Sequence, residues 1–223
     1  CYNIADTLIV GQCSGSGALA AVGAAYTLMV FLISILLGLS MGSGTVFSLQ
    51  YGAGRMKALR RSIYVSAVLI GTVTIVLNIA ALSFIHPILK LLQIPDDIYQ
   101  MMYDYLWIIF WGIGFTFIYN FYAALLRAIG NAVTPLYFLA ISVVLNIGLD
   151  LFFILLLDWG IKGAAIATII AQGVSALGIM GYTYAKCPEL RLHRNALHFD
   201  RHCLKEITSI STLTCIQQSV MNL

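Results

Sequence analysis

Five long apolar runs, separated by short polar breaks, constrain this chain more than any other feature. They cover about residues 19–47, 62–84, 101–126, 134–157 and 163–184. Crossing roughly 30 Å of hydrocarbon takes about 20 apolar residues in a helix, so each run reads as a membrane span. The breaks carry the expected punctuation. Gln50-Tyr51-Gly52-Ala53-Gly54-Arg55 follows the first run, His86-Pro87 and Ile94-Pro95-Asp96-Asp97 follow the second, and Arg127-Ala128-Ile129-Gly130-Asn131 follows the third. Asp158-Trp159-Gly160 follows the fourth.

Composition settles the class. Only 9% of the 223 residues are charged and 61% are hydrophobic, whereas soluble domains run near 25% charged. A soluble domain, a disordered tail, a nucleic-acid binder and a disulfide scaffold are therefore excluded. The expected fold is an all-α polytopic bundle. Before the first run, residues 2–11 form an apolar stump too short to cross, which begins at Cys1 rather than Met. Another apolar stretch starts at Ile207 and stops in mid-pattern. The reading is an internal fragment whose first helix is truncated, with six helices when the stump is counted.

Orientation follows from the basic residues, which short cytoplasmic loops retain. Arg55, Lys57, Arg60, Arg61, Arg127, Lys186, Arg191, Arg194, Arg201 and Lys205 fall on one side, and only Lys90 and Lys162 on the other. The end preceding the stump is thus expected in the cytoplasm, in a pattern that fits a bacterial inner membrane. Residues 186–206 are too polar to cross and read as an interfacial linker between the bundle at 1–185 and the segment starting at 207. Within that linker, His198, His202 and Cys203 cluster as metal ligands do. With no CxxC pair among the five cysteines, inert thiols are the favoured reading.

Ionisable groups within the spans point to function, because each costs several kcal/mol unless it faces a cavity or a partner. Asp6 lies in the stump, and Asp150 sits deep in the aliphatic fourth run, four residues after Asn146. That spacing puts amide and carboxylate on one helix face, one turn apart. The oxygens suit a hard cation, or a carboxyl able to carry a proton. A structural helix-helix hydrogen bond is the alternative, and is favoured for a lone Asn. Gly38, Gly42 and Gly44 form a small-residue strip read as packing rather than gating. Gly112 and Gly114 permit a bend in the third run, Asn78 has no assigned partner, and Asp104 falls at the outer water boundary, assigned to solvation.

Taken together, Leu126-Arg127-Ala128-Ile129-Gly130-Asn131-Ala132 with Pro135, Leu145-Asn146-Ile147-Gly148-Leu149-Asp150, and Gly163-Ala164-Ala165-Ile166-Ala167-Thr168 resemble the multidrug and toxic compound extrusion (MATE) transporters. Asp6-Thr7-Leu8-Ile9-Val10-Gly11, Ala20-Ala21-Val22-Gly23 and Gly52-Ala53-Gly54-Arg55 are similar to that family's first two helices, in the same order. The resemblance implies the six-helix N-terminal lobe of a twelve-helix transporter that works by alternating access.

It further implies, in the DinF-like branch, a coupling site for Na⁺ or H⁺ at Asp6, Asn146, Asp150 and Thr168, with Tyr105 and Asn120 lining the lobe's cavity. No catalytic residue, no cofactor and no metal other than a coupling Na⁺ is implied. The expected activity is ion-coupled export of amphipathic organic cations or related drug-like molecules, by a full-length chain acting as a monomer in the bilayer. The aromatic run from Tyr103 to Tyr122 is read mostly as packing and lipid-facing surface, with Tyr105 the exception. A lipid-linked oligosaccharide flippase of the same architecture is the alternative, disfavoured because no Lys or Arg falls within a span. An intramembrane enzyme is less favoured still, since the spans hold no histidine beyond His86 at a margin.

Overall fold

The computed structural model describes residues 29–91, 96–157, 159–190 and 201–221. Asp6, the start of the first run, and residues 198–200 of the linker lie outside them, and the side chains of His202 and Cys203 are also undescribed. The described elements are helical: α1 (Met29–Gly52), α2 (Met56–Ser83), α3 (Ile85–Leu91), α4 (Asp96–Trp111), α5 (Ile113–Ala128), α6 (Val133–Leu151), α7 (Gly160–Lys186) and α8 (Arg201–Met221). Five helices are long and apolar enough to cross a membrane, with α4 and α5 together forming the third. These are the five runs read from the sequence.

Glycine ends two of the spans at the side carrying most of the basic residues. At Gly54 and Gly130 the backbone is left-handed, with φ of 69° and 87°, a conformation that disfavours any side chain. In each case the next N–H reaches back five residues, Arg55 to the Gln50 carbonyl and Asn131 to the Leu126 carbonyl, both at 2.9 Å. This closes the last turn and satisfies carbonyls that helix ends otherwise leave bare. The Asn131 side-chain oxygen then accepts the Thr134 N–H at 3.1 Å, starting α6.

Three features differ from a set of plain spans. The third run is interrupted at Gly112, whose N–H bonds the Ile109 carbonyl three residues back at 2.8 Å, a tighter turn than the α-helix makes. This is the bend that the glycines at 112 and 114 permit. Asn78 of α2 donates its amide to the Phe110 carbonyl beside that break, at 2.6 Å, which supplies the partner the sequence left unassigned. The end of the fourth run widens into a π turn, Phe152–Leu156, where Phe153 stacks on Trp159 at 5.3 Å between ring centroids. His86 and Pro87, read as an interruption, belong to the short helix α3, where Pro87 sits in the first turn and so removes no hydrogen bond a helix needs.

The central element is α7, which packs against α4, α5 and α6. Its buried face is made of small residues, including Gly163, Ala164, Ala165, Ala167, Ala171, Gly173 and Ala176. Rings from neighbouring helices fill the resulting hollows. Phe138 of α6 lies where a side chain at Gly178 would stand, 2.6 Å from an added Cβ, and Phe115 of α5 covers Gly173. On α2, Val68, Ile75, Val76 and Ile79 face outward, as do Leu136, Tyr137, Ile141, Val144 and Ile147 on α6. Outward apolar faces of this kind meet lipid.

The glycine strip packs in two directions. A Cβ on Gly38 would run into the Cys215 backbone, and one on Gly42 into that of Ser211, both on α8, while Gly44 faces Ala124 of α5. Helix α8 begins by Arg201, ahead of the apolar pattern that starts at Ile207, and Ile207 is buried against Val46 and Val65.

Candidate coupling site and adjoining cleft

Four side chains make up the buried face of α6: Pro135, Ser142, Asn146 and Asp150. Three of them are polar and follow one another at intervals of four, which stacks them in a single stripe along the helix. Apart from Thr134 in its first turn, the rest of the helix is apolar, so its hydrophobic side faces out and its polar side faces in. Asn146 and Asp150 are both fully buried, and Thr168 of α7 is nearly so at 3% exposure. The Asn146 amide donates to the Thr168 hydroxyl oxygen at 3.2 Å. One turn away, Ser142 donates to the Ala171 carbonyl of α7 at 2.7 Å. The structure thus sets Asn146 against Thr168 and buries Asp150 one turn further along the same face of α6.

This seam has chemistry to offer. The Asn146 side-chain oxygen is buried without a hydrogen-bond partner among the described residues. A buried acceptor of this kind, close to a carboxylate on the same face, presents oxygen to a cation. Ser142 was not singled out from the sequence, although its place four residues before Asn146 carries the signal.

Thr168 also lines a cleft of about 230 Å³. Helix α1 contributes Met29, Ile33 and Leu37 to its apolar wall, and α5 contributes Thr116, Tyr119 and Asn120. Gln172 and Ser175 of α7 extend the polar wall beyond Thr168. No Lys, Arg, Asp or Glu lines it among the described residues.

Of the two cavity residues expected, Asn120 lines the cleft, its amide donating to the Thr116 carbonyl at 2.8 Å. Tyr105 instead belongs to the apolar core, at 5% exposure. Sequence reasoning missed Thr116, Tyr119, Gln172 and Ser175. Thr168, Gln172 and Ser175 are spaced four and three apart, the interval of one helix face, and that pattern was available.

Asp104 forms an ion pair with Lys162 at 2.7 Å, joining α4 to α7, and also accepts from Gln100 at 3.2 Å. It has a specific partner as well as solvent.

Comparison with known proteins agrees with the architecture. The family model MatE matches residues 1–152. "Probable multidrug resistance protein YpnP" of Bacillus subtilis is 36% identical over 176 residues, covering 79% of this chain and 40% of that protein. "Probable multidrug resistance protein NorM" of Thermotoga maritima is 28% identical over 227 residues, covering 99% of this chain and 48% of that one. The chain therefore spans half or less of the length of these relatives. Among solved structures, an inward-facing multidrug resistance MATE family transporter superposes with a TM-score of 0.91 at 24% identity, covering 99% of this chain and 50% of that chain. A MOP superfamily transporter from Pyrococcus furiosus superposes at 0.87 with 23% identity, covering 97% and 48%. At such identity the superpositions speak for the fold, and the family match over residues 1–152 completes the argument: the chain belongs to the MatE family of membrane transporters, which are not enzymes.

Proposed function

We propose that this chain is the N-terminal lobe of a cation-coupled multidrug antiporter. The lobe occupies residues 1–185, a cytoplasmic linker 186–206, and the second lobe starts at 207. The observation that carries the reading is the inward stripe Ser142, Asn146 and Asp150, joined through Thr168 to a largely apolar cleft with a few polar groups. The multidrug-resistance names of the relatives support the substrate side of it.

In this reading Asp150, with Asn146, Thr168 and Asp6, binds Na⁺ or takes up H⁺, and the cleft binds an amphipathic drug-like molecule. If ion and drug favour different states of the lobe, each weakens the other's binding by the same factor, so ion entry drives drug exit. The flippase alternative needs cationic groups to hold a pyrophosphate, and the described cleft lining has no Lys or Arg. The protein acts as a monomer of the full-length chain, in an inner membrane, with its N-terminus in the cytoplasm.

The test uses the complete transporter in proteoliposomes, following a fluorescent cationic dye while a Na⁺ gradient or a pH gradient is imposed separately. Dye movement under one gradient is expected, and its loss in Asp150→Asn and Asp6→Asn. Unchanged gradient-driven movement in both variants would remove the site assignment.

A further inference from the structure

The polar side chains of the cleft are not equally available to a ligand. Thr116 donates its hydroxyl proton to the Gly112 carbonyl at 3.2 Å. Tyr119 donates to the Pro135 carbonyl at 2.8 Å. The Asn120 amide donates to the Thr116 carbonyl at 2.8 Å, and Ser175 to the Gln172 carbonyl at 3.2 Å. The three hydroxyl protons and one of the two Asn120 N–H groups are thus committed to the main chain. Gln172 is different: it lines the cleft half-buried, and its side chain makes no hydrogen bond among the described residues. A primary amide carries two donors and an acceptor side by side.

The fold makes room for that amide. Gln172 lies against the helix break at Gly112, where an added Cβ would stand 2.8 Å from its side-chain oxygen. Any residue but glycine at 112 would push the amide from its place. The same helix carries Thr168 one turn before Gln172, and both line the cleft together with the apolar residues of α1.

We infer that Gln172 is the specificity-determining residue of the cleft, reading a ligand edge on which a hydrogen-bond donor and an acceptor lie adjacent, as in an uncharged planar lactam, imide or carboxamide. The inference rests on the cleft being the substrate site and adds the ligand chemistry that this site selects. A side-chain amide and a ligand amide pair through two parallel hydrogen bonds. Blocking the ligand N–H by methylation removes one of them and leaves a buried carbonyl or amide poorly matched, which changes affinity by about tenfold.

The experiment is equilibrium binding to the purified complete transporter, with no gradient imposed. The probes are the fluorescent tricyclic lactam phenanthridin-6(5H)-one and its N-methyl derivative. The wild type is expected to bind the lactam about tenfold more tightly than the N-methyl compound. In Gln172→Met, which keeps length and volume, that ratio falls to about one, and in Gly112→Ala, where the amide is displaced, it falls several-fold. A wild-type ratio near one, no binding of either compound, or a ratio that survives in Gln172→Met overturns the inference. Because the readout is a binding ratio, it is independent of coupling. A transporter that shows the ratio but ignores both ion gradients keeps this inference and loses the coupled-antiport reading.

Discussion

The seam between α1 and α8 and the seam between α6 and α7 each bring two helices together, by different means. Between α1 and α8 the contact is made by removing side chains: Gly38 and Gly42 let the backbone of α8 approach until there is no room for a Cβ. Between α6 and α7 small residues again line one partner, but the other offers Ser142, Asn146 and Asp150. In a bilayer the hydrophobic effect does not pull helices together, so close packing and interhelical hydrogen bonds must do it. Glycine does so without burying a charge: the polar group there is the neutral Ser211 hydroxyl, which donates to the Leu39 carbonyl at 3.3 Å. A carboxylate does so at a penalty of several kcal/mol, which packing alone does not require. The polar seam therefore buries a charged side chain where packing alone would not call for one, and we propose that function lies there.

Substitutions that separate the two seams sharpen this contrast. The largest effect is expected from Asp150→Asn, which keeps the volume and removes the charge. It should abolish the coupling between ion and drug, a factor on the order of 10 to 100, while the purified protein stays monodisperse and folded. Gly38→Ala should do the reverse, lowering thermal stability by about 1 to 3 kcal/mol through overpacking. Since the clash is with the Cys215 main chain, trimming the partner with Cys215→Ala should not restore it. Recovery in the double variant would show that side chains, not backbones, set that seam.

Two smaller effects mark where polar groups only hold the fold. Asn78→Leu removes the bond to the Phe110 carbonyl and should lower the unfolding midpoint by an amount corresponding to about 0.6 to 1.7 kcal/mol. Lys162→Gln breaks the ion pair with Asp104, whose lysine side chain is 54% exposed, and is expected to cost under about 1 kcal/mol. A larger loss for Lys162→Gln than for Asn78→Leu would mean that the outer face, rather than the break at Gly112, ties α4 in place.

Much of this was legible in the sequence because a bilayer imposes simple rules. Span length follows from its thickness, and Asn146 and Asp150 stand out because nothing adjacent to them in the run is polar. The Gly112 bend and the packing role of Gly38 and Gly42 were legible for the same reason: glycine has few uses within a span. What escaped notice depends on neighbours distant in the chain. Asn78 and Phe110 are 32 residues apart, and the cleft gathers Met29, Asn120 and Gln172 from three helices. Tyr105 and Asn120 look alike as polar residues of one run, yet one faces the core and the other the cleft, because the break at Gly112 separates the helices that carry them. The π turn at Phe152–Leu156 has no simple sequence mark.

The central claim is that Asp150 links ion binding to drug binding. The most direct test measures the affinity of the purified complete transporter for a fluorescent cationic dye while Na⁺ concentration and pH are varied in turn, in wild type and Asp150→Asn. One ion should weaken dye binding in the wild type, the dye should weaken that ion's binding by the same factor, and both effects should vanish in Asp150→Asn. Dye affinity that responds to the ion equally in both proteins, or to neither ion in the wild type, would contradict the account.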